Sequence, residues 1–189
     1  MEVVNLLNCS SRDTFENAIC VGMAPDVDFE AIPTTSCVED TVFFNDLSSD
    51  YVQFWFWDFG DTTDNSFDQN PFHIYIDTGF YDVSLGVAHY GCFTDTVLSD
   101  YIHVTEPRAR FKVTQNCIDP SFVEFQNTSI GADSVIWNFG VPNVNTDTST
   151  LNNPSFVYPD TGTYIVSLTA FNFMTGCSHR ETKLSLIHI

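Results

Sequence analysis

Apolar and polar residues alternate one by one through much of the chain. Tyr81, Val83, Leu85 and Val87 form one row, with Asp82, Ser84, Gly86 and Ala88 between them. Tyr164, Val166, Leu168 and Ala170 repeat the pattern, and Trp55, Trp57 and Phe59 alternate with Phe54 and Phe56. A period of two is that of a β-strand with one face buried, and no long window shows the helical period. Phe, Tyr, Val and Thr fill these runs, as strands favour. Asp61 to Asn65, Asp77-Thr78-Gly79, Asn127-Thr128-Ser129 and Asp160-Thr161-Gly162 punctuate them as turns. Short strands at this spacing predict an all-β chain of sandwiches with about seven strands each. The alternation assigns Trp57, Tyr81, Val83 and Leu85 to one core, and Trp137, Tyr164, Val166 and Leu168 to another.

The pattern occurs twice. Trp57-Asp58-Phe59-Gly60 returns as Trp137-Asn138-Phe139-Gly140. Asn70-Pro71 returns as Asn153-Pro154, and Asp77-Thr78-Gly79 with Tyr81 to Leu85 returns as Asp160-Thr161-Gly162 with Tyr164 to Leu168. Extra residues after Gly140 account for the drift in spacing, as a lengthened loop does. Pro25 and Phe29 match Pro107 and Phe111 at the two starts. Cys9 precedes Ile19 by the interval that separates Cys92 from Ile102 and Cys177 from Ile187. Residues 1–22 therefore read as the last strands of an earlier module, 23–105 as a first full copy and 106–189 as a second. On this reading the chain begins mid-module and is a fragment of a longer array. The tail is expected to form a lone two-stranded hairpin.

Trp57-Asp58-Phe59-Gly60-Asp61, then Asn70-Pro71-Phe72-His73-Ile74-Tyr75, then Gly79-Phe80-Tyr81-Asp82-Val83-Ser84-Leu85, resembles the PKD (polycystic kidney disease) domain. The second copy departs from that pattern. Asn138 stands for the Asp, Gly140-Val141-Pro142 replaces the turn, and Phe156 sits at the His position. The resemblance implies tandem immunoglobulin-like (PKD-type) β-sandwiches in an extracellular setting, with a spacer or binding role and no catalysis. Cysteine-bearing copies of this kind are similar to those of very long surface and secreted proteins of Bacteroidetes, including gliding-motility-associated adhesins. From the residues themselves, Trp57 and Trp137 are core aromatics. Asp58 and Asn138 accept backbone N–H groups in the turns completed by Gly60 and Gly140.

Composition narrows the partners. The net charge is −19, with 25 acidic against 6 basic residues, so nucleic acid and anionic membrane surfaces are excluded as partners. Aromatic content of 15% is too high for a disordered acidic chain. No apolar run reaches the ~20 residues of a membrane helix, so no transmembrane segment is expected. The first twenty residues lack the basic and apolar regions of a signal peptide.

The six cysteines follow the copies. Cys37 and Cys92 hold the places in the first that Cys117 and Cys177 hold in the second. One disulfide within each copy is expected, Cys37–Cys92 and Cys117–Cys177, and hence an oxidising compartment. A Cys9–Cys20 bridge and six reduced thiols are the alternatives.

Candidate chemistry is sparse. Asp58, Asp61, Asp64 and Asp68 in one loop, or Asp26, Asp28 and Glu30 near the first start, are the candidates for a bound calcium ion. Otherwise no cofactor or metal is expected. No zinc, phosphate-loop or serine-nucleophile motif occurs, so no catalytic residue is assigned and the chain is read as non-enzymatic. Phe54 and Phe56, on the outward row beside Trp55 and Trp57, are a candidate binding surface for protein or carbohydrate. Alternatively they cover Gly86 and Ala88 on a neighbouring strand. The function expected is an extracellular spacer and adhesion segment of a large secreted or surface protein, flanked by neighbouring copies. The alternative is an accessory polysaccharide-binding module of a secreted hydrolase.

Overall fold

The computed structural model describes residues 2–4, 10–12, 24–115, 119, 121–144 and 147–187. All its regular elements are strands: β1 (Glu2–Val4), β2 (Ser10–Arg12), β3 (Phe29–Ile32), β4 (Thr35–Cys37), β5 (Thr41–Asp46), β6 (Phe54–Asp58), β7 (Phe72–Ile74), β8 (Gly79–His89), β9 (Cys92–Thr105), β10 (Phe111–Gln115), β11 (Phe122–Asn127), β12 (Ser134–Asn138), β13 (Thr148–Ser149), β14 (Ser155–Val157), β15 (Gly162–Phe171) and β16 (Ser178–Ile187). β3 to β9 and β10 to β16 are seven strands each, split in both cases into a three-stranded and a four-stranded sheet. The fold is an all-β sandwich. No helix long and apolar enough to cross a membrane occurs among the described residues.

By contact density the chain divides into two compact units. One comprises 1–32, 43–72 and 82–100, and the other 33–42, 73–81 and 101–189. In the first, β3 pairs antiparallel with β5, and β6 with β8 in the register Phe54↔Ala88, Phe56↔Gly86, Asp58↔Ser84. That register turns Trp57, Val83, Leu85 and Val87 inward, and all four are fully buried. Trp57 meets Phe29 edge-on at 5.2 Å and Phe44 at 5.6 Å, and Phe44 meets Phe59 at 5.1 Å. Rings of this size bury ~150–250 Å² each, so four of them dominate a small core.

The second unit holds the same arrangement in β10 to β16. The sheets run β10-β11-β14 and β13-β12-β15-β16. Trp137 meets Phe111 at 5.2 Å and Phe125 at 5.5 Å, and Phe125 meets Phe139 at 5.1 Å. Val166, Leu168 and Ala170 complete the cluster. In the same unit Arg108 and Arg110 both reach the Asp77 carboxylate, at 2.7 and 2.8 Å.

Tyr81 departs from the expected core. It is only partly buried, whereas Tyr164 is buried. Both sit two residues beyond a turn glycine and donate their hydroxyls back to it, Tyr81 to the Asp77 carbonyl at 2.7 Å and Tyr164 to the Asp160 carbonyl at 3.0 Å. The bond is common to both, so alternation overstates the burial of Tyr81 for a reason other than its tie to the turn.

The disulfide pairing is corrected. Cys37 bonds Cys177, with Cα atoms 5.6 Å apart, in place of the expected Cys37–Cys92 and Cys117–Cys177. Both partners lie in the second unit. β4 runs parallel to the end of β9, with Cys37 beside Thr105, and the Thr105 hydroxyl lies 3.2 Å from the Cys177 sulfur. Cys92 is buried and also disulfide-bonded. Cys9, Cys20 and Cys117 lie outside the described residues. β1 and β2 pair antiparallel, Glu2↔Arg12 to Val4↔Ser10. The rest of the tail is not among the described residues.

Candidate functional site

The turn after β6 is built from the predicted motif. The Gly60 N–H donates to Asp58 Oδ1 at 2.9 Å, and Gly60 has φ +78°. A Cβ there would lie 2.1 Å from the Asp82 carbonyl oxygen, so glycine is required by both torsion and space. After β12, the Gly140 N–H donates to Asn138 Oδ1 at 2.9 Å, φ is +77°, and a Cβ would lie 2.3 Å from the Ile165 carbonyl oxygen. Asp and Asn serve alike because the turn needs an acceptor and not a charge. The Trp57 indole N–H donates to the Asp68 carbonyl and that of Trp137 to the Leu151 carbonyl, each at 2.9 Å. These residues hold the fold.

Several of the acidic candidates are occupied locally, Asp58 by the Gly60 N–H among them. Asp61 accepts from Thr63, and Asp28 from the Phe29 N–H. Glu30 accepts from Asn45. Among the described residues no three His, Cys, Asp or Glu side chains converge on a point that a metal ion would fill.

Asp46, at the end of β5, was not singled out from sequence. Its carboxylate accepts from the Ser48 N–H at 2.9 Å, the Trp55 indole N–H at 2.7 Å and the Gln69 amide at 3.1 Å. Burial works against its charge. The bonds from Ser48, Trp55 and Gln69 outweigh it and hold the carboxyl below the usual aspartate range. Trp55 itself is half-buried. In the other unit, burial first, then Tyr164 and Asp147, raise the Tyr158 hydroxyl well above the ordinary tyrosine value.

The surface expected at Phe54 and Phe56 is larger than the sequence pattern indicated. Phe54 is exposed and Phe56 partly so, and both meet Phe67 at 5.7 Å between ring centroids. Gly86, opposite Phe56, is covered by Phe93: a Cβ on Gly86 would lie 2.5 Å from that ring. Cover over Gly86 thus includes Phe93, which the alternative reading of Phe54 and Phe56 left out. Phe54 and Phe56 meet through Phe67, Phe93 lies over Gly86 opposite Phe56, and Val97 is exposed on the same row of β9 as Phe93. Phe67 and Phe93 had a signal in the sequence: their counterparts Thr150 and Ser178 are polar.

Residues 22–104 match the PKD domain family. This chain contains a PKD domain. Among solved structures, the PKD1 domain of Vibrio cholerae metalloprotease PrtV is 30% identical, over 45% of this chain and 100% of that one, at a TM-score of 0.38. The PKD1 domain of Vibrio anguillarum Epp is 27% identical over 45% of this chain and 96% of that one, also at 0.38. A carbohydrate-binding module structure from the β-sandwich superfamily is 12% identical over 87% of this chain and 78% of that one, at 0.40. No curated protein matches the chain. The PKD domain contains the Trp57 core, the Gly60 turn and the whole phenylalanine face.

Proposed function

We propose that the chain is a non-enzymatic extracellular spacer and adhesion segment of a larger secreted or surface-anchored protein. The observation that carries this reading is a PKD domain whose described cysteines, Cys37 and Cys92, are both disulfide-bonded. Such bonds persist in oxidising compartments. Residues 106–189 act as a second PKD-type module, supported by the recurring aromatic cluster and Gly140 turn. Modules of this kind set whatever they carry away from the cell, and the acidic surface keeps them soluble.

Protease treatment of intact producing cells tests the location. The chain should be cleaved without lysis, and its cysteines should take up a thiol reagent only after reduction. Protection until lysis, with freely labelled thiols, would overturn the reading.

A further inference from the structure

The outer face of β6, β8 and β9 in the PKD domain has an identifiable partner chemistry. We propose that Phe54, Phe56, Phe67 and Phe93, with Asp95, dock an extended protein segment in which Lys or Arg alternates with apolar side chains. This deepens the adhesion part of the reading above and rests on it.

Four observations lead there. First, the rings are assembled, not scattered. Phe67 bridges Phe54 and Phe56, Phe93 lies over Gly86, and Phe54, Phe67, Phe93 and Val97 are 44%, 59%, 58% and 54% exposed. A contiguous apolar face of this kind marks an interaction site. Second, β10 to β16 form the same arrangement without it. The second copy has Ser134, Ile136, Thr150 and Ser178 at the same places and Thr169 for Gly86, and there Ser134, Ile136 and Thr150 line a hollow of about 440 Å³.

Third, the charge is one-sided. Residues 13–107 contain no lysine and no arginine, while 15 of the 25 acidic residues fall within 23–105. A partner must bring the positive charge. Asp95 stands between Phe93 and Val97 on the exposed row of β9, where an ammonium or guanidinium group reaches both a carboxylate and a ring face. Fourth, Phe54 and Phe56 are two residues apart on one strand. Same-face side chains of a strand repeat every ~6.8 Å, the spacing of alternate side chains in an extended partner. Sugar recognition requires convergent polar groups beside the rings. The nearby Asp58 and Asp82 are each held in the fold by an N–H group, of Gly60 and of Asp100, and Asp95 by itself is not a convergent set.

The test uses the whole chain and three probes at physiological salt: a decapeptide alternating Lys with Leu, the same peptide with Glu for Lys, and cellohexaose. Titration calorimetry compares the protein with the triple variant Phe54→Ser, Phe67→Thr, Phe93→Ser, which borrows the second copy's residues. The Lys peptide should bind the protein and weaken about tenfold or more in the triple variant, a loss of about 1.4 kcal/mol or more. Asp95→Asn should weaken it about threefold, and the Glu peptide should not bind. If the triple variant does not fold, Phe93→Ser alone should still weaken the Lys peptide about threefold. Equal binding to all variants would show diffuse charge attraction and overturn the proposal. So would no binding of the Lys peptide, or cellohexaose binding that the triple variant loses. Cell-surface proteolysis does not use this face, so failure here leaves the assignment of location untouched.

Discussion

The inner and outer faces of β6 and β12 differ in how much the two copies share. Inside, Trp57 and Trp137 meet their Phe neighbours at the same distances to within 0.1 Å, and both indoles bond a loop carbonyl at 2.9 Å. Outside, a phenylalanine face in one copy is replaced by Ser134, Ile136 and Thr150 in the other. The inner side is set by packing, which leaves few solutions for a small sandwich. The outer side is free to vary, so the copy that carries large rings in water does so for something other than folding. Charge follows the same division, since the PKD domain has no basic residue and the second copy has five.

The inner faces are the place to break the molecule. Trp57→Ala and Trp137→Ala should each cost about 3–5 kcal/mol by cavity formation. Because the two sites are alike, each variant should unfold its own sandwich in denaturant. A small loss at one and a large loss at the other would end the equivalence of the cores. Gly60→Ala and Gly140→Ala come next, at about 3 kcal/mol each, from positive φ and a Cβ pressed on a carbonyl oxygen. Thermal melts should show the pair alike.

The disulfide is shared by no equivalent pair. Cys37→Ser with Cys177→Ser should cost about 2–4 kcal/mol. Cleavage before aspartates without reduction should yield peptide 28–39 joined to 160–189, the segments that contain Cys37 and Cys177. A 28–39 peptide joined to 82–94, the segment of Cys92, would restore the pairing expected from the copies.

That pairing shows where the sequence stops being readable. Recurrence says that Cys37 and Cys117 occupy like positions in two sandwiches, and Cys92 and Cys177 likewise. It does not say which sulfurs are neighbours, because bonding requires Cα atoms within about 4.4–6.8 Å. Cys37 stands beside Thr105 at the end of β9, and Thr105 touches Cys177, a proximity that no periodicity encodes. The strands, the Trp57 core and the Gly60 turn were legible because alternation and recurrence report them independently. Phe54 and Phe56 were legible as outward residues from the period of two. Phe67 and Phe93 stood out only as rings where Thr150 and Ser178 are polar. Their place on the face was not legible, because Phe67 folds back through the Trp57–Ser66 bridge and the contact of Phe93 runs across strands to Gly86.

Acid should separate the copies by a smaller margin. Asp46 is held below its unfolded value, near 3.9 for a free aspartate, so it stabilises the fold above that pH and ceases to as pH falls through its lowered folded value. Its counterpart Asn127 makes a similar bond to the Ser129 N–H and does not titrate. The PKD domain should therefore lose more stability than the second copy below about pH 4. Asp46→Asn should flatten that difference in urea melts taken across the acid range, and an unchanged profile would place the acid-sensitive group elsewhere.

The smallest effect on stability belongs to the most distinctive surface. Exchanging Phe54, Phe67 and Phe93 for the second copy's Ser, Thr and Ser removes rings that lie largely in water. Each exposed ring gives up little burial, and surface changes of this kind stay within about ±0.5 kcal/mol per site. Gly86 would then lose the ring above it, which favours pairing the exchange with Gly86→Thr, the residue of the second copy. With Phe93 gone the threonine side chain has room, and its β-branched form suits a strand. The quadruple variant should melt no lower than the triple one. A large loss on removing the rings would mean that they hold the sandwich together after all, and the contrast between a fixed inner face and a free outer face would fail.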